Sequence, residues 1–84
     1  MEIRTFLDPV KLMGGNFGVD GTRSAEKLGA LVKVALEKEF PEATVVVTLG
    51  PEAVVVVPND PDLALRALNI VGAMRKTSDY LVFV

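Results

Sequence analysis

A glycine-rich segment near the start of the chain comes closest to a binding site. The run MGGNFGVDGTRS, residues 13–24, comes just before a stretch with the apolar spacing of a helix. Glycines let backbone amides approach an anion, and the first turn of a helix adds partial positive charge. Such an arrangement would bind a phosphate-containing small molecule. The candidate ligand-binding residues are Gly15, Asn16, Gly18, Asp20, Gly21, Thr22, Arg23 and Ser24.

The spacing of these glycines does not match the known nucleotide-binding loops. Gly15, Gly18 and Gly21 lie three apart, unlike the dinucleotide fingerprint, and the Lys followed by Ser or Thr of nucleotide hydrolases does not follow them. A structural alternative is that glycines supply positive backbone angles for an irregular connection, with Asn16 and Asp20 as turn residues. We favour this structural role and keep ligand binding as the alternative.

No set of residues in the sequence is typical of catalysis. The chain has no His and no Cys, so the commonest general base and the thiol nucleophile are missing. Asp60 and Asp62 lie at a predicted helix start, where capping explains them. The spaced carboxylates of a calcium loop are also missing. We therefore predict a protein that is not an enzyme and that binds no metal and no cofactor.

Length and composition favour one small folded domain, residues 1–84. Half of the residues are hydrophobic and 24% are charged, which gives enough apolar surface to offset the entropy lost on folding. The net charge of −2 and the scattered basic residues argue against a nucleic-acid partner. No uncharged run approaches the roughly 20 residues of a membrane helix, so we expect a cytoplasmic protein without membrane contact.

Hydrophobic periodicity predicts alternating strands and helices. Segments that alternate, or that are rich in β-branched residues, predict strands, whereas apolar residues that recur at three and four predict helices. The two valine-rich strands are separated by GPE and are expected to pair as an antiparallel hairpin. The predicted strands are residues 2–7, 44–49, 53–57 and 80–84, and the predicted helices are residues 24–40 and 58–76.

This order of elements predicts a ferredoxin-like α+β fold. The expected architecture is a βαββαβ two-layer sandwich, in which a four-stranded antiparallel sheet carries two helices on one face. The glycine-rich connection between the first strand and the first helix, about residues 8–22, is longer than the usual two to six residues. We expect the first helix to be capped by Thr22 or Ser24 and the second by Asn59 or Asp60.

The strands carry more apolar residues than a two-layer domain needs. One face of the sheet should meet water, yet residues 54–57 and 81–84 are unbroken apolar runs. The second face could be covered by a second copy, by a different protein or by the chain's own loop, residues 10–21. We favour a second copy, because most oligomers are symmetric homo-oligomers. The predicted contact residues are Phe6, Val46, Val55, Val57 and Tyr80.

These observations predict a small non-enzymatic interaction or assembly module. It would self-associate, or dock on another protein, through an apolar face or edge of its sheet. The choice of face is open, because a shift of one residue in register exchanges the two faces of a strand. The alternative function is a regulatory domain that binds a small ligand or phosphate through residues 14–24, with Arg23 supplying positive charge.

Overall fold

A computed structural model describes residues 1–77 and 79–84, which form an α+β fold with three strands and three helices. The strands form one sheet in the order β2-β1-β3, with β1 parallel to β2 and antiparallel to β3. The elements are β1 (Glu2–Leu7), α1 (Pro9–Met13), α2 (Gly21–Glu39), β2 (Thr44–Leu49), β3 (Ala53–Val57) and α3 (Pro61–Arg75).

The predicted ferredoxin-like arrangement is wrong, although the α+β class is correct. Within the described residues the sheet has three strands rather than four, it is mixed rather than antiparallel, and the helices number three rather than two. The expected hairpin between β2 and β3 does not form, because the two strands lie on opposite sides of β1.

The short connection between β2 and β3 passes over the end of β1. Two strands that flank a third lie about 9.6 Å apart, whereas the four Cα steps from Leu49 to Ala53 reach about 13 Å. The Gly50 amide donates to the Leu7 carbonyl at 2.9 Å and holds the connection against β1. A connection this short can join two neighbouring strands as a hairpin, or it can cross one intervening strand. Its length therefore does not indicate the topology.

The predicted fourth strand does not join the sheet. Residues 81–84 make an isolated antiparallel bridge, in which Phe83 pairs with Val19 in the connection before α2. The buried Ser24 hydroxyl accepts a hydrogen bond from the Val82 amide at 2.9 Å. This segment therefore pairs with the glycine-rich connection, and the outer edges of β2 and β3 have no strand neighbour among the described residues.

The long connection after β1 contains the short helix α1. The Asp8 carboxylate accepts a hydrogen bond from the Val10 amide at 2.9 Å, and Pro9 occupies the first turn, where its missing amide hydrogen costs nothing. The helix ends at Gly14, whose φ of 58° is left-handed. The Asp–Pro pair thus ends β1, as predicted, and also begins a helix that periodicity did not indicate.

The core lies between one face of the sheet and the helices α2 and α3. Ile3, Thr5 and Leu7 alternate along β1 and are buried against the helices. The central apolar positions of α2 and α3 are buried, whereas Leu31 of α2 is 40% exposed. The buried residues of the two long helices include Leu28, Val32, Leu36, Leu63, Ala67 and Val71.

Candidate protein-interaction surface

The sheet has a second face, which points away from the helices and which we call the open face. The pairing registers place three rows of side chains on it, because directly paired residues project to the same side. The rows are Thr44, Glu2 and Val57, then Val46, Arg4 and Val55, then Thr48, Phe6 and Ala53.

Four of the five predicted contact residues share the open face. Val46, Val55 and Val57 are 39%, 43% and 45% exposed, and Phe6 is half-buried beside them. Tyr80 lies elsewhere: its ring is buried in the core, and its hydroxyl donates to the Arg75 carbonyl at 3.0 Å. The structure therefore places the first four residues together and gives Tyr80 a structural position at the end of α3.

The chain's own glycine-rich loop does not cover the open face. Leu12 of α1 belongs to the core on the helix side of the sheet, and Val19 pairs with Phe83. The loop is thereby held away from Val46, Val55 and Val57, which stay exposed. Of the three covers considered from the sequence, the described residues leave a second copy and a different protein.

An ion pair occupies the middle strand of the open face. Arg4 Nε donates to Glu2 Oε1 at 2.7 Å, and the two side chains are 52% and 34% exposed. This hydrogen bond raises the pKa of the Arg4 guanidinium above its ordinary value, and the negative charge of Glu2 adds a smaller effect in the same direction. The open face thus carries its charges on β1 beside Phe6, whereas β2 contributes Val46 between two threonines and β3 contributes only apolar residues.

A groove runs between α2 and the free edge of β2. It has a volume of about 490 Å³ and is lined by the small residues Ala25, Gly29 and Ala30 together with residues 45–49. A Cβ on Gly29 would lie 2.9 Å from Val47 Cγ1, so the glycine permits the close approach of helix to strand. Glu26 and Lys33 of α2 complete an otherwise mainly aliphatic lining, so the groove carries one acid and one base.

The predicted ligand-binding residues fall into two groups. Gly15, Asn16 and Gly18 form the turn that follows α1, where the Asn16 side chain accepts a hydrogen bond from the Gly18 amide at 2.9 Å. Gly21, Thr22, Arg23 and Ser24 form the first turn of α2, and Asp20 precedes them as its cap.

The amino terminus of α2 is already occupied by a carboxylate. Asp20 accepts a hydrogen bond from the Arg23 amide at 3.0 Å, and the Arg23 guanidinium lies 3.6 Å from the same carboxylate. An anion placed there would meet the charge of Asp20, which already satisfies the amide that a ligand would need. The capping role predicted for Thr22 or Ser24 belongs to Asp20, and phosphate binding stays a prediction without a supporting contact.

Comparisons with protein-family models, with curated proteins and with solved structures found no match. In the part of the chain that the structure describes, no group of three acidic side chains is placed to hold a metal ion. No helix within residues 1–77 and 79–84 is long and apolar enough to cross a bilayer.

Proposed function

We propose that this chain is a non-enzymatic assembly module that associates with a second copy of itself through the open face. The observation that carries the proposal is the grouping of Phe6, Val46, Val55 and Val57 on one face that the described residues leave uncovered. Two sheets stack about 10 Å apart with their side chains interdigitated, so each copy would cover the other. A cytoplasmic setting and a second, different protein partner stay predictions.

The residue types of the open face suit a protein interface. Valine is stiff at χ1, so burying it on a pleated surface costs little rotamer entropy while removing apolar area from water. Interfaces favour Arg and disfavour Lys. The nine positions of the open face include Arg4 and no Lys. The lysines of the chain are Lys11, Lys27, Lys33, Lys38 and Lys76, all in helices or directly after one.

Light scattering after size-exclusion chromatography, over a tenfold range of micromolar concentrations, tests the proposal. We expect the wild-type chain to have twice its 9.0 kDa mass, shifting toward the monomer on dilution. Val55→Asp should be monomeric, because it would bury a second carboxylate beside the single guanidinium of Arg4, which already binds Glu2. Its far-UV circular dichroism should match that of the wild type, since Val55 is 43% exposed in one copy.

A matched control separates the open face from other exposed valines. Val34 on α2 is 66% exposed and lies outside the sheet, so Val34→Asp should leave the mass doubled. Val55→Thr keeps the β-branched shape and should weaken association without abolishing it. A wild-type chain that is monomeric at every concentration, or a Val55→Asp variant that stays dimeric, would contradict self-association.

A further inference from the structure

The ion pair on the open face indicates how two copies would be oriented. Glu2 and Arg4 lie two residues apart on the middle strand, so both side chains leave the same face. A twofold interface contains each contact twice. If one residue of the first copy contacts a different residue of the second copy, the same two positions also meet with the copies exchanged. An acid and a base on one face can therefore be satisfied reciprocally.

We propose that two copies stack open face to open face with their β1 strands antiparallel, so that Glu2 of each copy lies opposite Arg4 of the other. The twofold axis then runs across the strands, midway between the rows of Glu2 and Arg4. This arrangement rests on the proposed self-association, and it names the orientation of the partner copy.

Two other simple twofold arrangements bring like charges together. An axis parallel to the strands would place Glu2 over Glu2 and Arg4 over Arg4 of the second copy. An axis across the strands through the row of Arg4 would place the two guanidinium groups on one another. Like charges facing each other in an interface oppose association, whereas the reciprocal arrangement gives each charge an opposite charge within its own copy and another across the interface.

The valines of β3 fit the same axis. Val55 pairs with Arg4 and Val57 pairs with Glu2 in the ladder between β1 and β3. An axis that brings Glu2 opposite Arg4 of the second copy therefore also brings Val57 opposite Val55 of that copy. Stacked sheets cross at about 30°, an angle that displaces residues least when they lie near the axis. The charges thus select the orientation, and the valines of β3 are compatible with it.

A pair of charge variants tests this orientation. Glu2→Lys leaves two bases on the open face, and Arg4→Glu leaves two acids. We expect each variant alone to associate at least tenfold more weakly than the wild type, because like charges then oppose each other. An equimolar mixture should recover association within about threefold of the wild type, measured by sedimentation velocity with one variant labelled. Glu37→Lys, an exposed change on α2, should associate as the wild type does.

The outcomes separate this orientation from the proposed function. Recovery in the mixture, with neither variant associating alone, supports contact between the charges of the two open faces, and the crosslinking measurement below then tests the reciprocal pairing. If Val55→Asp dissociates the dimer while both charge variants remain dimeric, the open face is the interface but the orientation is wrong. Folded charge variants that stay monomeric when mixed also overturn the orientation. A monomeric wild type overturns the orientation together with self-association, which leaves a different protein as the occupant of the face.

A crosslinking measurement covers the case in which a charge variant does not fold. The chain has no Cys, so single substitutions give an unambiguous signal. In a mixture of Val55→Cys and Val57→Cys, a short thiol crosslinker of about 5 Å should join the two variants, because the two thiols project toward each other from sheets about 10 Å apart. Because about half of the dimers in an equimolar mixture are mixed, we expect more of this product per mixed dimer than either variant alone forms per dimer. Equal yields per dimer in all three samples would contradict the orientation.

Discussion

The hydroxyl of Thr5 offers a direct test of the packing between the sheet and the helices. Thr5 lies on β1 between Val47 and Val54, and it is 1% exposed. Its Oγ1 has no hydrogen-bond partner among the described residues. Because a buried hydroxyl without a partner has lost its hydrogen bonds to water, we predict that Thr5→Val stabilises the protein.

The size of the effect follows from two contributions. An unpaired buried polar group costs about 1–3 kcal/mol, and a buried methyl group contributes about 0.8 kcal/mol. Val has the same branched shape as Thr, so Thr5→Val should introduce neither a cavity nor a clash. We expect the free energy of unfolding to rise by about 1–2 kcal/mol, less than the full sum because the folded protein already relaxes around the hydroxyl.

Urea unfolding followed by far-UV circular dichroism measures this change, since the chain has no Trp. With a urea dependence of about 1–2 kcal/mol per molar, the midpoint should rise by about 1 M. All variants must be compared at one protein concentration, because association adds to stability by mass action. Thr5→Ser keeps the hydroxyl and loses the methyl group, so it should destabilise. A Thr5→Val variant with an unchanged or lower midpoint would show that the hydroxyl is satisfied in solution.

Three further substitutions test local features of the fold. Ser24→Ala removes the acceptor of the Val82 amide; hydrogen exchange should accelerate at Val82, while amides of β1 stay protected. Gly21→Ala would place a Cβ 2.5 Å from the Pro9 carbonyl oxygen, so the melting temperature should fall. In Gly72→Ala the new Cβ inside α3 would have no neighbouring atom within 4 Å. The variant should be more stable by about 0.5–1 kcal/mol, which raises the melting temperature by several degrees.

Local structure could be predicted from the sequence where side-chain pattern alone determines it. The bounds predicted for β1, β2 and β3 agree with the structure, because alternation and β-branched residues report on strands directly. The candidate cap Asp60 was also correct, since it accepts a hydrogen bond from the Leu63 amide at 3.1 Å. These features depend on neighbours within a few residues along the chain.

Topology could not be predicted in the same way, because it depends on partners distant in sequence. The apolar run at residues 81–84 has the composition of a strand, yet its backbone pairs with the connection before α2, and Val82 reaches Ser24. The sequence pattern predicts Asp20 to be a turn residue of the glycine-rich loop. Asp before a helical pattern is also typical of a helix cap, and Asp20 caps α2 in the structure. The loop in fact holds α1 and the cap of α2.

The structure divides the apolar surplus that prompted the interaction hypothesis between two places. Val54 and Val56 point toward the helices, whereas Val55 and Val57 lie on the open face. Residues 81–84 pair away from the sheet, where Phe83 and Val84 stay exposed. On the open face the middle strand carries the charges and Phe6, and the outer strands carry the valines. Affinity would therefore arise mainly from Phe6 and the valines, and orientation from Glu2 and Arg4.

The edges of the sheet are less suited to association than the open face. Edge strands pair with other chains when they are long and unobstructed, and proline limits such pairing because it lacks an amide hydrogen. Pro51 lies in the connection between the two edge strands, and Pro58 directly follows β3. Each edge strand has five or six residues, a common strand length. The prolines thus limit pairing beyond the strand ends, whereas stacking of two open faces is a closed arrangement that ends at two copies.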